Sequence, residues 1–279
     1  MTYFELKKYI SEKLVATSGE LSDYEALLFI ERLCGVSRAG LLMRMHDEAH
    51  FDEKLLENML ARRTKGEPAE YILGETVFFD LRIALTRDCL IPRADTEFVC
   101  EKALSLLPEN ARAADLCTGS GCIACMVAKH TDCQIIGLDI STDALNTALD
   151  NASRLNLFNK AIFRKSDIFS NVKPGESFDI IISNPPYIPP SQKTGLQKEV
   201  SFDPETALFT NDDKGLEYYE KITLQAPKIL NNGGYLLYEL GINQAANVKQ
   251  FMENAGFSAI EIIQDLAGIE RVICGKLDN

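Results

Sequence analysis

The sequence predicts an α/β protein built on a seven-stranded, mainly parallel sheet with an antiparallel last strand. A small helical domain and a linking β-hairpin precede the sheet. Three observations carry this expectation. From about residue 93 onward, helical and strand patterns alternate, which implies a mainly parallel sheet covered on both faces. A strand, Ala113-Ala114-Asp115-Leu116, runs straight into a glycine-rich turn and then a helix. The first ~65 residues show helical periodicity throughout.

Taken in order, Tyr3, Leu6, Ile10 and Leu14 form one helical stripe. Ser22-Asp23-Tyr24-Glu25 reads as a capping box opening a second helix, with Leu27, Ile30 and Leu33 following at helical spacing. Leu55, Met59 and Leu60 mark a third. Lys65-Gly66-Glu67-Pro68 breaks the pattern and is expected to hand the small domain over to the rest of the chain. Residues 71–91 predict a hairpin, Thr76-Val77-Phe78-Phe79 and Leu81-Arg82-Ile83-Ala84-Leu85 around a turn at Asp80. The expected organisation is a helical domain over 1–65, a linker with a hairpin over 66–92 and a catalytic domain over 93–279. Strands are expected at 112–116, 134–138, 161–165, 178–183, 234–239, 258–263 and 270–275. The last two have no helix between them and should pair antiparallel.

Composition narrows the function classes. Hydrophobic residues make up 46% and charged residues 25%, the mix of a globular enzyme with a sizeable core. The net charge is −12, and the acid excess is even: residues 1–70 hold 10 Lys/Arg against 13 Asp/Glu, leaving 19 against 28. That balance argues against a protein gripping a long nucleic acid through a basic face. No apolar stretch approaches the ~18 residues of a membrane span, and the opening residues lack a signal-peptide h-region. A cytoplasmic protein without a membrane partner is expected. Cys117, Cys122, Cys125 and Cys133 lie close together, but their spacing is not that of a two-pair zinc ribbon. They read as free thiols of a reducing compartment, and no metal site is expected.

The glycine-rich turn, Cys117-Thr118-Gly119-Ser120-Gly121, lets backbone approach a ligand, and the helix after it offers free N–H groups. Asp139, 24 positions after Asp115, ends the next strand, where an acid can accept both hydroxyls of a ribose. The turn alone fits a nicotinamide dinucleotide equally well. An acidic residue at Asp115 favours S-adenosylmethionine, whose sulfonium and amino group are cationic. Asp167, ending the third strand, can accept from an adenine amine while Ile168 lies against the ring.

The most informative stretch is Asn184-Pro185-Pro186-Tyr187, after the apolar run Phe178-Asp179-Ile180-Ile181-Ile182-Ser183. Two prolines end the strand and hold Asn184 at its carboxyl end, where open α/β sheets bind ligands. The Asn184 side-chain oxygen and the Pro185 carbonyl are acceptors for the two hydrogens of a planar –NH2 group, and the Tyr187 ring offers it a flat face. Such a site suits methylation of an amide or an exocyclic amine. The plainer reading is a proline turn that Asn184 merely starts.

With these elements the chain resembles the class I S-adenosylmethionine-dependent methyltransferases, with their Rossmann-like fold. The closer resemblance is to the release-factor glutamine methyltransferases, the PrmC/HemK family. It rests on Glu67-Pro68-Ala69-Glu70-Tyr71-Ile72-Leu73-Gly74, Ile91-Pro92-Arg93-Ala94-Asp95-Thr96-Glu97 and Asn184-Pro185-Pro186-Tyr187-Ile188-Pro189. Downstream it rests on Phe202-Asp203-Pro204-Glu205-Thr206-Ala207-Leu208, Gly215-Leu216, Glu239-Leu240-Gly241 and Asp265-Leu266-Ala267-Gly268-Ile269-Glu270-Arg271. The resemblance implies methyl transfer to the side-chain amide nitrogen of the glutamine in the Gly-Gly-Gln loop of class-I peptide chain release factors. It implies cofactor contacts from residues 117–121, Asp139, Asp167, Ile168 and Asn184, and glutamine contacts from Asn184, Pro185, Pro186 and Tyr187, with Asn184 and Pro185 catalytic. Two positions depart from the family pattern. Cys117 stands where glycine is usual, and Asp203 replaces a usual glutamate.

No basic side chain is needed for this chemistry, so His46, His50 and His130, all outside the motifs, are given no role. The alternative is an adenine-amine methyltransferase acting on DNA or RNA, whose flipped base presents the same –NH2. The chain has no insertion large enough for a base-reading domain beyond its N-terminal helices, which are instead expected to dock a protein substrate. An inactive binding module on the same fold is disfavoured by the intact Asn-Pro-Pro-Tyr.

Overall fold

A computed structural model describes residues 1–278 and divides into two compact units. The first comprises Met1–Glu75 together with Gln197–Phe202. It holds helices α1 (Tyr3–Ser18), α2 (Ser22–Cys34), α3 (Arg38–Met43), α4 (Glu53–Arg63) and α5 (Ala69–Leu73). Tyr3, Leu6, Ile10 and Leu14 are all buried, so the first stripe is the core face of α1. Phe29 and Ile30 of α2 and Leu56, Met59 and Leu60 of α4 join them.

Three local expectations are corrected here. Ser22 does not cap α2, because a single 3-10 turn at Gly19–Leu21 already makes the incoming chain helical. The capping box forms instead at Thr2 and Glu5: the Glu5 amide donates to Thr2 Oγ1 at 3.2 Å and the Thr2 amide to Glu5 Oε2 at 2.9 Å. Glu25 is recruited by Arg63, whose Nε and Nη2 donate to its two carboxylate oxygens at 2.8 and 3.0 Å in a buried fork. On α2 the buried face runs through Ala26, Phe29 and Ile30, leaving Leu27 and Leu33 at its margins, and on α4 Leu56 is buried where Leu55 is exposed. The helical unit also extends past Lys65-Gly66-Glu67-Pro68 to Glu75, because α5 packs on α2 and α4. Segment 197–202 belongs to it as well: Arg63 Nη1 donates to Glu199 Oε1 at 3.4 Å, and Lys198 lies over Gly66.

The second unit comprises Thr76–Leu196 and Asp203–Asn279 as a stretch of chain, described to residue 278. It opens with the hairpin β1 (Glu75–Phe78) and β2 (Leu81–Ala84). Seven strands follow: β3 (Arg112–Leu116), β4 (Gln134–Asp139), β5 (Ala161–Lys165), β6 (Phe178–Ser183), β7 (Leu230–Glu239), β8 (Phe257–Gln264) and β9 (Glu270–Leu277). They line up in the order β5-β4-β3-β6-β7-β9-β8, parallel up to β7, with β9 antiparallel between β7 and β8. Each expected strand is present. Helices α6 (Asp95–Leu106), α7 (Cys122–His130) and α8 (Thr142–Arg154) pack in succession, while α10 (Glu217–Gln225) pairs with α11 (Ala245–Asn254) after the short α9 (Glu205–Leu208). The core beneath α10 and α11 takes Ala114, Leu116, Ile136, Leu138, Ile181, Leu236 and Tyr238, alternate residues of four adjacent strands. The residues between them, among them Ala113, Asp115, Ile135, Ile180, Ile182 and Leu237, are buried on the opposite face, so the central strands are covered on both faces. Among the described residues, no helix is long and apolar enough to cross a membrane.

Candidate active site

Strand order reverses at β3, with β4 on one side and β6 on the other. Such a switch point leaves a crevice beyond the strands' carboxyl ends, because the connections leave in opposite directions. The turn from β3 to α7 fills its floor. Cys117, Gly119 and Gly121 all take positive φ, at 56°, 53° and 75°. A Cβ on Gly119 would meet nothing within 4 Å, so the bare backbone faces open space, whereas one on Gly121 would strike Ala148 and Phe163 at 2.9 and 3.0 Å. Gly119 therefore leaves room for a ligand, and Gly121 lets α7 pack.

Asp115 clamps this turn. Its Oδ2 accepts from the Thr118 hydroxyl and from the Ala124 amide at 3.2 Å, and the side chain is fully buried. Burial pushes its carboxyl up to about 7 against those two hydrogen bonds, which favour the charged form. Asp139 at the end of β4 accepts from the Gly119 amide at 2.8 Å and the Ser141 amide at 2.9 Å, and burial raises its carboxyl too. On the far side, Ser183 at the end of β6 donates to the Leu116 carbonyl at 3.0 Å, tying the two central strand ends together.

A cleft of about 970 Å³, counting its open mouth, lies between these elements. Of the residues singled out from sequence, Cys117, Thr118, Gly119, Ser120, Asp139, Asp167, Ile168, Asn184 and Pro186 line it. Four others do not. Asp115 sits inside β3, so its side chain leaves the sheet face beneath α7 and not beyond the edge. Direct contact with a cationic ligand is thus replaced by a clamp on the turn. Gly121 caps α7, Pro185 is buried and Tyr187 is half-buried, and none of the three lines the cleft. Ile168 has φ 51°, a strained conformation for a β-branched residue; Ser166 Oγ donating to its carbonyl at 2.8 Å holds it there.

The Tyr187 turn is gripped from below. Gln244 Nε2 donates to its carbonyl at 2.9 Å, and a Cβ on Gly215 or Gly241 would fall 2.1 Å from that oxygen or 2.9 Å from the tyrosine ring. Glycine at these two positions makes space for the Asn-Pro-Pro-Tyr turn. Sequence reasoning assigned no role to Thr96, Thr206, Ala207 or Tyr218, which also line the cleft, nor to Glu239, which lies behind it. Thr96, Thr206, Ala207 and Glu239 occur in strings that carry the family resemblance, and that was the available signal. His130 is bonded to Asp80 at the hairpin, and no histidine lines the cleft. Among the described residues, no group of three or more His, Cys, Asp or Glu side chains is arranged to hold a metal ion.

The sequence matches the family described as PrmC N-terminal domain over residues 5–74 and that described as Methyltransferase small domain over 98–201. A release factor glutamine methyltransferase of Neisseria gonorrhoeae is 39% identical, the match covering 92% of this chain and 94% of that protein. This chain belongs to the release factor glutamine methyltransferase family. A relative of the same name from Geobacter sulfurreducens is 37% identical over 96% of this chain and 93% of its own. Among solved structures, a methyltransferase of Pyrococcus furiosus superposes with a TM-score of 0.56 at 20% identity, covering 80% of this chain and 100% of that one, a likeness of fold. The two departures from the family pattern now have a setting. Cys117 occupies a position that does take positive φ, and Asp203, buried and shorter than glutamate, still reaches Arg93 Nη2 at 2.6 Å.

Proposed function

We propose that this chain transfers a methyl group from S-adenosyl-L-methionine to the side-chain amide nitrogen of the glutamine in the Gly-Gly-Gln loop of class-I peptide chain release factors. The observation that carries the reading is that Asn184, at the end of β6, lines the same cleft as Gly119, Asp139 and Asp167. A planar amide held at Asn184 and a nucleoside held at Asp139 therefore share one space. The names and near full-length coverage of the relatives support the substrate.

The residues present fit the cofactor. Asp139 has lone pairs left for ribose hydroxyls, Asp167 and Ile168 offer an acceptor and an apolar wall for an adenine ring, and Gly119 leaves space for the amino-acid end. Ser120 also lines the cleft and adds a hydroxyl at that end. The cofactor supplies an electrophilic methyl carbon on a sulfonium.

An amide nitrogen is a poor nucleophile because its lone pair is delocalised into the carbonyl. The protein's contribution is alignment, with Asn184 Oδ1 in the cleft as an acceptor for the –NH2 where positive charge develops, and the Pro185 carbonyl as the second acceptor that the family resemblance implies. Once methylated, the nitrogen is acidic enough to lose its proton without a dedicated base. The N-terminal helical unit supplies recognition of the folded substrate, since a pocket for one amide cannot select one glutamine among many. Incubation with methyl-labelled S-adenosylmethionine and release factor should label the wild-type Gly-Gly-Gln loop and not a Gly-Gly-Ala variant. Label appearing only in a duplex DNA or RNA arm overturns the reading.

A further inference from the structure

Among the described residues the Asn184 side chain has one partner: its Nδ2 donates to Thr96 Oγ1 at 3.3 Å. The Thr96 hydroxyl donates in turn to Glu239 Oε2 at 2.6 Å, and the Tyr187 hydroxyl donates to Glu239 Oε1 at 3.4 Å. Thr96 and Glu239 are each 2% exposed. The chain of bonds has a direction. An ionised carboxylate only accepts, so Glu239 takes the single proton of Thr96. That leaves the Thr96 oxygen with lone pairs alone, and only the –NH2 end of Asn184 can bond to it. The Asn184 oxygen is thereby turned away from Thr96, and no described residue donates to it. With the amide reversed, Asn184 would present an N–H to a substrate –NH2, donor against donor.

We propose that Thr96 and Glu239 are positioning residues that set the amide polarity of Asn184, Glu239 also holding Tyr187 through its second oxygen. The inference rests on the glutamine-methylation reading above. It gives a role to the Thr96 and Glu239 strings, which that reading leaves without one.

The test is a double-mutant cycle on methylation of release factor at saturating S-adenosylmethionine. Asn184→Ala should lower kcat by roughly 10²–10³-fold, the loss seen when one preorganised hydrogen-bonding group is removed. Thr96→Val keeps shape but deletes the hydroxyl, and should lower kcat by ~10–100-fold with KM for release factor little moved, since one hydrogen bond is worth about a factor of ten. Thr96→Ser should restore most of that loss. Adding Thr96→Val to Asn184→Ala should cost less than ~2-fold more, because groups acting as a unit are non-additive. A merely structural role for Thr96 would instead multiply the two losses, and that result overturns the proposal. So does a folded Thr96→Val enzyme with wild-type kcat, even while the methylation reading stands. Should Thr96→Val fail to fold by circular dichroism, Thr96→Ala is read in the same cycle. A wild-type enzyme that leaves release factor unlabelled overturns both readings together.

Discussion

Glu239, the last residue of β7, and Asn184, the first residue after β6, are joined through a single hydroxyl, that of Thr96. The β6–β7 register pairs Ser183 with Tyr238, so the residue that follows each lies at the same edge of the sheet. Burial pushes the Glu239 carboxyl up to about 7; Asp95 raises it further, while the Thr96 and Tyr187 hydrogen bonds and Arg271 oppose the rise. Once protonated, Glu239 can donate to Thr96, and the direction of the bond chain is no longer imposed. At saturating cofactor and release factor, kcat should therefore fall as pH drops through about 7 and level off above it. The Thr96→Val enzyme should lose this limb. A flat kcat between pH 5.5 and 9 would show that Glu239 ionisation does not govern the site.

Asp139 is expected to bind the ribose, and it also anchors the glycine turn through Gly119. Asp139→Ala should weaken S-adenosylmethionine binding by about 1.5–3 kcal/mol, the range for hydrogen bonds to a charged group. Asp139→Asn, which keeps one acceptor, should fall between. Calorimetric titration measures both, and an unchanged Kd would place the ribose elsewhere.

Cys117 holds φ at 56° where glycine would sit without strain. The left-handed conformation costs an L-residue roughly 1–2 kcal/mol, so Cys117→Gly should stabilise the protein by about 0.5–1 kcal/mol after the lost thiol contacts and the added chain entropy. Urea unfolding of the two proteins decides it. A destabilised glycine variant would mean that thiol packing outweighs the backbone strain.

The helical unit exposes Leu42 and Met43 side by side on α3, with Met43 87% exposed. If this unit docks the substrate, replacing both with glutamate should raise KM for release factor ~10-fold, as loss of an interface anchor does, without changing S-adenosylmethionine affinity. Deleting residues 1–65 outright is a poorer test, because it also removes Arg63, the partner of Glu199 in the segment downstream of Asn-Pro-Pro-Tyr. An unchanged KM in the point variant would remove α3 from the docking surface.

Local sequence determined the elements and their kind. Helix and strand leave different apolar spacings, so the α1 stripe and all seven sheet strands were legible before any contact was known. The glycine turn and Asn-Pro-Pro-Tyr were legible for the same reason, since backbone conformation and strand ending are written in adjacent residues. Partnership was not. Thr96 meets Glu239 across 143 positions and Asn184 across 88, a meeting set by strand order and register. Ser22 and Glu25 spell a capping box, yet a preceding 3-10 turn and a distant arginine remove both from that role. Asp115 has the residue type of a ligand contact, and the strand's pleat aims it beneath α7 instead. Sequence pointed to the glycine turn, Asp139, Asp167 and Asn184, all in the cleft lining, because their chemistry is local; only the tertiary structure decided which way each faces and brought Thr96 and Glu239 to them, because a hydrogen bond's direction depends on partners the chain brings together from far away.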